Sequence, residues 1–150
     1  MNKLNIGDKA PEINAINQDG NLINLSQFHG KKIVLYFYPK DMTPGCTAQS
    51  CNLRDNYNLL IKNGYEVLGC SCDTPEQHQK FIKKYNLPFQ LISDLKKNVV
   101  NNYGVWGKKK FMGKEYMGIN RTTFVIDENG IILEIISKVK TKDHYSQIVK

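Results

Sequence analysis

The most constraining feature of the sequence is an uninterrupted apolar run at residues 33–38, Ile-Val-Leu-Tyr-Phe-Tyr. Its residues are leucine, β-branched or aromatic, and the β-branched and aromatic types favour extended structure. A run without polar alternation is typical of a central strand that is covered on both faces. The sequence therefore predicts a buried strand at the centre of a layered domain.

Strand-like and helix-like segments alternate along the rest of the chain. Residues 7–30 have the pattern of short strands and turns. Further strands are predicted at residues 66–71, near 89–93, at 122–127 and at 131–137. An Asn-Gly pair separates the last two, which is typical of a hairpin. Helices are predicted over residues 44–63, 75–86, about 95–103 and the last few positions. This order indicates one α/β domain over residues 1–150, with a mixed central β-sheet flanked by helices. The thioredoxin-like fold is one arrangement of this kind.

The chain carries a formal net charge of +7, from 21 basic and 14 acidic side chains. A basic excess can indicate nucleic acid as a partner. All the basic residues except Arg54 and Arg121 are lysines spread along the chain, which favours a solvated surface instead. No apolar run reaches the roughly 18–20 residues of a membrane helix, and no signal peptide is visible. We therefore expect a cytoplasmic protein that binds neither nucleic acid nor membrane.

Four cysteines occupy positions 46, 51, 70 and 72. Without a signal peptide they do not indicate a secreted disulfide framework, so they are redox-active, metal-binding or buried. A zinc site made of all four is one alternative. Structural zinc sites use cysteine pairs that are two to four residues apart in turns. One pair on a predicted helix and one on a predicted strand match such a site poorly.

Cys46 lies just after a predicted helix start. Thr43 is a favourable N-cap and Pro44 a favourable first helical residue, so Cys46 is at about the third helical position. Free backbone N–H groups and the positive end of the helix dipole stabilise a thiolate there. Because the thiolate is the reactive form of cysteine, Cys46 is a candidate nucleophile. A small buried apolar residue is the alternative interpretation.

Cys51 lies five residues further along the same predicted helix, about 140° around its axis. Ideal helix geometry separates the Cα atoms of Cys46 and Cys51 by about 8–9 Å, whereas a disulfide needs them within about 7 Å. The two sulfurs therefore cannot bond while the helix is intact. A bond between them would require the helix to open locally.

The pattern P-x-x-x-T-x-x-C, formed by Pro39, Thr43 and Cys46, resembles the peroxiredoxin signature. The stretch Pro-Gly-Cys-Thr-Ala-Gln-Ser-Cys that ends at Cys51 resembles the bacterioferritin comigratory protein or peroxiredoxin Q subfamily. The similarity continues over nearly the whole chain, at residues 7–11, 68–73, 103–107 and 118–124. It implies a thioredoxin-like fold and a thiol peroxidase for hydroperoxides that needs no metal or other cofactor.

The resemblance also implies roles for individual residues. Cys46 matches the peroxidatic cysteine, and Thr43 matches the residue whose hydroxyl contacts the thiolate and the peroxide. Arg121 matches the active-site arginine, and a planar, permanently charged fork would explain an arginine in so lysine-rich a chain. Pro39 matches the residue that shields the site. Gly45 belongs to the implied substrate-binding set, together with Thr43, Cys46 and Arg121.

Cys51 matches the resolving cysteine that many members of this subfamily use. This match implies a sulfenic acid on Cys46, followed by a Cys46–Cys51 disulfide that thioredoxin or a similar dithiol reduces. Relatives of this subfamily are often monomers, so we expect a monomer. The subfamily more often has an aliphatic residue at position 70, so Cys70 and Cys72 are either packing residues or alternative resolving thiols.

Overall fold

The computed structural model describes residues 3–150 of the chain. The nine strands in this part of the chain form one seven-stranded sheet and one two-stranded hairpin. In chain order the strands are β1 (Ala15–Asn17), β2 (Leu22–Ile23), β3 (Lys32–Phe37), β4 (Tyr65–Ser71), β5 (Gln90–Ser93), β6 (Trp106–Phe111), β7 (Lys114–Ile119), β8 (Thr122–Ile126) and β9 (Ile132–Ile136). The large sheet has the order β2-β1-β5-β4-β3-β8-β9, and β6 pairs with β7.

The described residues also form five α-helices and one 3-10 helix. They are the 3-10 helix Leu25–Phe28, α1 (Pro44–Asp55), α2 (Tyr57–Lys62), α3 (Pro75–Tyr85), α4 (Asn98–Asn102) and α5 (His144–Ile148). Within residues 3–150, no helix has both the length and the apolar character that a bilayer crossing requires.

The mixed sheet and its central strand are confirmed. β3 pairs in parallel with β4 and antiparallel with β8, and its residues from Ile33 to Phe37 are buried. Val34 and Tyr36 pack into one apolar cluster, whereas Leu35 and Phe37 pack into a second one. Because successive side chains of a strand point to opposite faces, the two clusters lie on opposite sides of the sheet.

The remaining predicted strands are confirmed to within a few residues. The predicted hairpin is formed by β8 and β9, which pair antiparallel across the turn at Asp127–Gly130. Gly130 has a φ of 83°, a value that favours glycine at this position. The helix predicted over residues 75–86 is α3, which begins with a capping box at Thr74 and Gln77.

The prediction of a single helix over residues 44–63 is wrong. The chain forms two helices there, which are separated at Asn56. Asn56 Nδ2 donates a 2.8 Å hydrogen bond to the carbonyl of Asn52. A continuous helix would use that carbonyl for the backbone N–H of Asn56, which instead bonds to the carbonyl of Arg54. Competition from this side chain thus ends α1 at Asp55.

The helix predicted over about residues 95–103 is shorter in the structure and begins at Asn98. Lys97 has a φ of 60°, and its N–H donates to the carbonyl of Asp94 at 3.1 Å. The Asp94 carboxylate accepts a 2.8 Å bond from the backbone N–H of Val100. Asp94 therefore holds residues 94–97 in a turn, and the helix begins only at Asn98.

No strand is predicted for residues 106–119, yet β6 and β7 form an antiparallel hairpin there. Their strands carry lysines and glycines in place of regularly alternating apolar residues, so hydrophobic periodicity does not reveal them. The turn residues Met112 and Gly113 have φ values of 52° and 81°. Positive φ at both central residues is typical of a type I′ hairpin turn, which Asn-Gly signals and Met-Gly does not.

Candidate active site

Cys46 is the third residue of α1, directly after the segment that leaves β3, as predicted. Its side chain is fully buried in the apolar cluster that contains Tyr36 and Tyr38. The first helical hydrogen bond after it runs from the N–H of Thr47 to the carbonyl of Thr43, at 2.9 Å. Backbone N–H groups of the first turn have no helical acceptor, so the sulfur lies at the positive end of the helix.

Arg121 reaches this helix from the loop between β7 and β8, 75 positions away in the sequence. Its Nη2 donates to the Sγ of Cys46 at 3.3 Å, and its Nη1 donates to the Oε1 of Gln49 at 2.7 Å. Both acceptors belong to α1, so the two prongs of the guanidinium are held against the start of the helix. The structure thus brings Cys46 and Arg121 together.

Gln49 is a member of this site that sequence patterns leave undecided. It is fully buried, and its Nε2 has no hydrogen-bond partner among the described residues. Its Oε1 fixes one prong of Arg121 while the other prong contacts Cys46. The only sequence signal for this role is the spacing of three residues from Cys46, which places both side chains on one side of a helix.

Gly45 lies where Arg121 approaches the helix. A Cβ atom at Gly45 would lie 3.2 Å from the Nη2 of Arg121, which is closer than ordinary van der Waals contact. A side chain at this position would therefore displace the guanidinium that contacts Cys46. The absence of a side chain at Gly45 allows that contact to form.

Thr43 occupies the predicted N-cap position, with φ −76° and ψ 152°, but the expected side-chain cap is wrong. Its hydroxyl donates a 2.8 Å hydrogen bond to the carbonyl of Lys40 instead. A hydroxyl whose proton is used in this way offers only acceptor lone pairs to other groups. Pro39 is half-buried at the beginning of the same segment, just after Tyr38.

A buried polar network anchors the segment between β3 and α1. Asp41 accepts a 2.6 Å bond from the hydroxyl of Tyr38, and its other carboxylate oxygen lies 2.6 Å from the Nδ1 of His78. The N–H of Asp41 donates to the carboxylate of Asp73 at 2.9 Å, and the Nε2 of His78 donates to the carbonyl of Ile92 at 3.0 Å. Sequence spacing gives no signal for this network, because it joins α3 and β5 to a distant loop.

The same three side chains, Asp41, Asp73 and His78, are the one cluster of potential metal ligands found within residues 3–150. Hydrogen bonds to each other, to Tyr38 and to Ser71 already engage their carboxylate and ring atoms. No cysteine belongs to the cluster. The alternative of a four-cysteine zinc site is therefore wrong for this conformation.

Cys70 and Cys72 lie across the sheet from Cys46. Cys70 packs in the cluster of Phe37, and Cys72 packs against it, whereas Cys46 belongs to the cluster on the opposite face. Burial raises the pKa of the Cys70 thiol well above its usual range and raises the pKa of Cys72 to about 11, and Asp94 acts in the same direction. Both thiols are therefore held in their unreactive, protonated form here.

Cys51 is half-buried, lies on the same helix as Cys46 and has a free thiol. Burial raises its pKa, and the guanidinium of Arg54 opposes that rise. Arg54, the other arginine of the chain, donates hydrogen bonds to Asp55 and to the carbonyl of Tyr85, so it connects α1 to the end of α3. Because α1 is intact between the two cysteines, their Cα atoms are about 8–9 Å apart, outside disulfide range.

Comparison of the sequence with known proteins identifies its relatives. Residues 6–135 match the AhpC/TSA family. Peroxiredoxin Bcp of Escherichia coli is 47% identical over 149 residues, which cover 99% of this chain and 96% of that protein. Peroxiredoxin Bcp of Bacillus subtilis is 44% identical over 147 residues, which cover 98% and 94% of the two chains.

Solved structures agree with this assignment. A variant of peroxiredoxin Q from Xanthomonas campestris has a TM-score of 0.85 and 31% identity, over 91% of this chain and 87% of its own. A variant of PrxQ from Xylella fastidiosa has a TM-score of 0.90 and 27% identity, over 99% and 94%. They confirm the predicted thioredoxin-like fold. The chain therefore belongs to the AhpC/TSA family, in its Bcp and peroxiredoxin Q branch, and is a peroxiredoxin, an enzyme that reduces peroxides with a cysteine thiol.

Proposed function

We propose that this chain reduces hydrogen peroxide and organic hydroperoxides with the Cys46 thiolate. In this scheme the enzyme passes through a Cys46 sulfenic acid and a Cys46–Cys51 disulfide, and thioredoxin or a similar dithiol protein restores the thiols. The observation that carries the proposal is the 3.3 Å hydrogen bond from Arg121 to Cys46 at the start of α1. A thiolate accepts this bond better than a thiol does, because charge-assisted hydrogen bonds are the stronger ones.

In the first step the Cys46 thiolate attacks one peroxide oxygen. An S–O bond forms and the O–O bond breaks, so the sulfur is oxidised to a sulfenic acid. The leaving oxygen takes the electron pair of the broken bond and a proton from solvent, which yields water or an alcohol. Arg121 and the free N–H groups of the first turn stabilise the negative charge that develops on this oxygen.

Thr43 and Pro39 prepare the site for this attack. Because the Thr43 hydroxyl gives its proton to the carbonyl of Lys40, its oxygen is an acceptor for the O–H of an incoming hydroperoxide. This contact orients the peroxide for the thiolate. Pro39 has no N–H to compete for that hydroxyl and shields the site from water.

In the second step Cys51 attacks the sulfur of the Cys46 sulfenic acid. An S–S bond forms, and the hydroxyl group leaves as water after it takes up a proton. The start of α1 has to open first, since the intact helix keeps the sulfurs apart. The packing of Cys70 and Cys72 on the other face of the sheet from Cys46 supports Cys51 as the resolving thiol.

The third step is thiol–disulfide exchange with an external dithiol. A reductant thiolate attacks one sulfur of the disulfide, and its second thiol then completes the two-electron reduction. Organic peroxides are included as substrates because the bacterioferritin comigratory protein of Xanthomonas campestris, 30% identical to this chain, has an alkyl peroxide reduction activity. A cytoplasmic monomer stays a prediction, and sedimentation of the purified protein checks the monomer.

The test is a disulfide map by mass spectrometry after one equivalent of hydrogen peroxide, applied to four Cys→Ser variants. We expect Cys46→Ser to consume no peroxide. Cys51→Ser should consume one equivalent and stop at a sulfenic acid that dimedone traps, with turnover on thioredoxin lowered at least about a hundredfold. Cys70→Ser and Cys72→Ser are the matched controls and should behave as the parent protein does. Full turnover by Cys51→Ser, or a bond from Cys46 to Cys70 or Cys72, would contradict the scheme.

A further inference from the structure

Lys109 differs from its two lysine neighbours in the β6–β7 hairpin. It pairs with Tyr116 across the hairpin. Because it lies between Lys108 and Lys110 in the same strand, its side chain points to the opposite face from theirs. Its Nζ donates a 2.9 Å hydrogen bond to the carbonyl of Ile119. Its side chain is half-buried, whereas both neighbours are exposed. Lys109 therefore folds back toward the base of the hairpin.

Gly118 provides the surface over which Lys109 folds. A Cβ atom at Gly118 would lie 3.1 Å from the Cδ of Lys109, so the aliphatic part of the lysine occupies the space that a side chain would fill. The carbonyl that holds the ammonium belongs to Ile119, two residues before Arg121. An extended chain spans about 6–7 Å in that distance. The ammonium is thus anchored at the end of the strand that leads to Arg121.

The electrostatic coupling of these groups agrees with this placement. Partial burial lowers the pKa of Lys109, and the guanidinium of Arg121 lowers it further. The Cys46 thiolate acts in the opposite direction and raises it. Lys109, Arg121 and Cys46 therefore act on each other as one group of charges.

This group of charges has no acidic partner within the part of the chain that the structure describes. Neither Lys109 nor Arg121 has a carboxylate within salt-bridge distance there. The salt bridges found in residues 3–150 are Arg54–Asp55 and Lys150–Glu134, and Asp41 is hydrogen-bonded to His78. With Cys46 as a thiolate, this group carries two positive charges and one negative charge, so a second anion would be attracted to the site. The ammonium uses one N–H for Ile119 and keeps two for such a group.

We propose that Lys109 is a specificity-determining residue that binds the carboxylate of hydroperoxides that carry an acid group, while Cys46 and Arg121 act on the peroxide itself. This assignment rests on the proposed peroxidase function. The bond to Ile119 and the cover over Gly118 pre-position the ammonium, so little side-chain freedom is lost on binding. A neutral peroxide of the same size lacks this contact.

Three cumene hydroperoxides test the assignment: the parent compound, its para-carboxylate and its para-carboxamide. The carboxylate and the carboxamide are similar in size and differ in charge, so the ratio of their kcat/KM values isolates the charge. We expect a ratio above one, lowered about fivefold in Lys109→Met. Lys108→Met is the matched control, since it removes the same charge from the other face of the same strand, and its ratio should stay at the parent value. Lys109→Arg should retain most of the preference.

Raised salt gives a second measurement on the unmodified chain. The ratio should fall toward one as ionic strength rises, which a purely structural lysine would not cause. A ratio of one at low salt overturns the assignment even if Lys109→Met fails to fold. An equal loss of ratio in Lys108→Met and Lys109→Met also overturns it, because the effect would then be general surface charge. Failure of the parent chain to reduce all three peroxides would instead overturn the proposed peroxidase function.

Discussion

At the scale of single residues, the site depends on one guanidinium that has two acceptors. Arg121 donates to Gln49 with one nitrogen and to Cys46 with the other. A planar fork can do both at once, whereas an ammonium is a point charge on a flexible stem. Shape therefore matters at this position as well as charge, and Gly45 is required by the same geometry.

Replacement of Arg121 by lysine tests this requirement. We expect Arg121→Lys to lower the rate constant of the first oxidation of Cys46 by hydrogen peroxide at least about tenfold, because one stabilising donor is lost from the transition state. Stopped-flow measurement of a single turnover gives this constant. Arg54→Lys is the control, since Arg54 contacts Asp55 and Tyr85 and not Cys46. Equal rates for Arg121→Lys and the parent would remove Arg121 from the mechanism.

At the scale of elements, α1 has two opposed requirements. It has to be folded to hold Cys46 at its first turn, and it has to open before Cys51 can reach that sulfur. Asn52, the residue after Cys51, restrains the helix from outside. Its Nδ2 donates to the carbonyl of Lys142 at 3.2 Å, and its Oδ1 accepts from the N–H of Tyr145 at 2.8 Å. Opening of the helix around Cys51 has to break or shift these bonds.

Loss of this restraint should accelerate disulfide formation. Each such hydrogen bond stabilises the folded arrangement by about 1 kcal/mol, so loss of both in Asn52→Ala, about 2 kcal/mol, should raise the rate of Cys46–Cys51 bond formation about thirtyfold. Rapid oxidation, timed alkylation and mass spectrometry follow this step. Asn58→Ala changes an exposed asparagine in α2 and should leave the rate as it is. An unchanged rate in Asn52→Ala would show that opening of α1 does not limit resolution.

At the scale of the whole molecule, the sheet separates the thiols and the buried network joins the layers. Cys46 packs on one side and shares α1 with Cys51, whereas Cys70 and Cys72 pack on the other side. His78 on α3 connects the loop before Cys46 to the carbonyl of Ile92 in β5. The position of the active-site loop therefore depends on the packing of α3 against the sheet.

The two hydrogen bonds of His78 should contribute more to the stability of the fold than most surface contacts do. His78→Leu removes the donor to one oxygen of the buried Asp41 carboxylate and the His78 donor to the Ile92 carbonyl, so we expect the free energy of unfolding to fall by about 2–4 kcal/mol. Denaturant unfolding followed by circular dichroism measures this difference. His29→Leu, at an exposed position, should change it by less than about 0.5 kcal/mol. A similarly small change in His78→Leu would mean that the network does not stabilise the fold.

Most of the fold is predictable from the sequence because its signals are local. The apolar run of β3 and the Asn-Gly turn between β8 and β9 are read directly from adjacent residues. Predictions fail where a side chain intervenes in the backbone pattern. Asn56 takes the acceptor that would have continued α1, and Asp94 holds a turn where a helix is predicted. The β6–β7 hairpin is not predicted, because its strands lack regularly alternating apolar residues.

The sequence by itself determined the alternation of strands and helices, the buried central strand and the place of Cys46 in the first turn of a helix. These properties follow from hydrophobic periodicity and from turn and capping residues, which act over a few positions. Only the tertiary structure decided that Arg121 reaches Cys46 and that Lys109 folds back onto the carbonyl of Ile119. It also decided that Cys70 and Cys72 are separated from Cys46 by the sheet. Such contacts depend on strand order and on packing across the sheet, and no short stretch of sequence encodes either one.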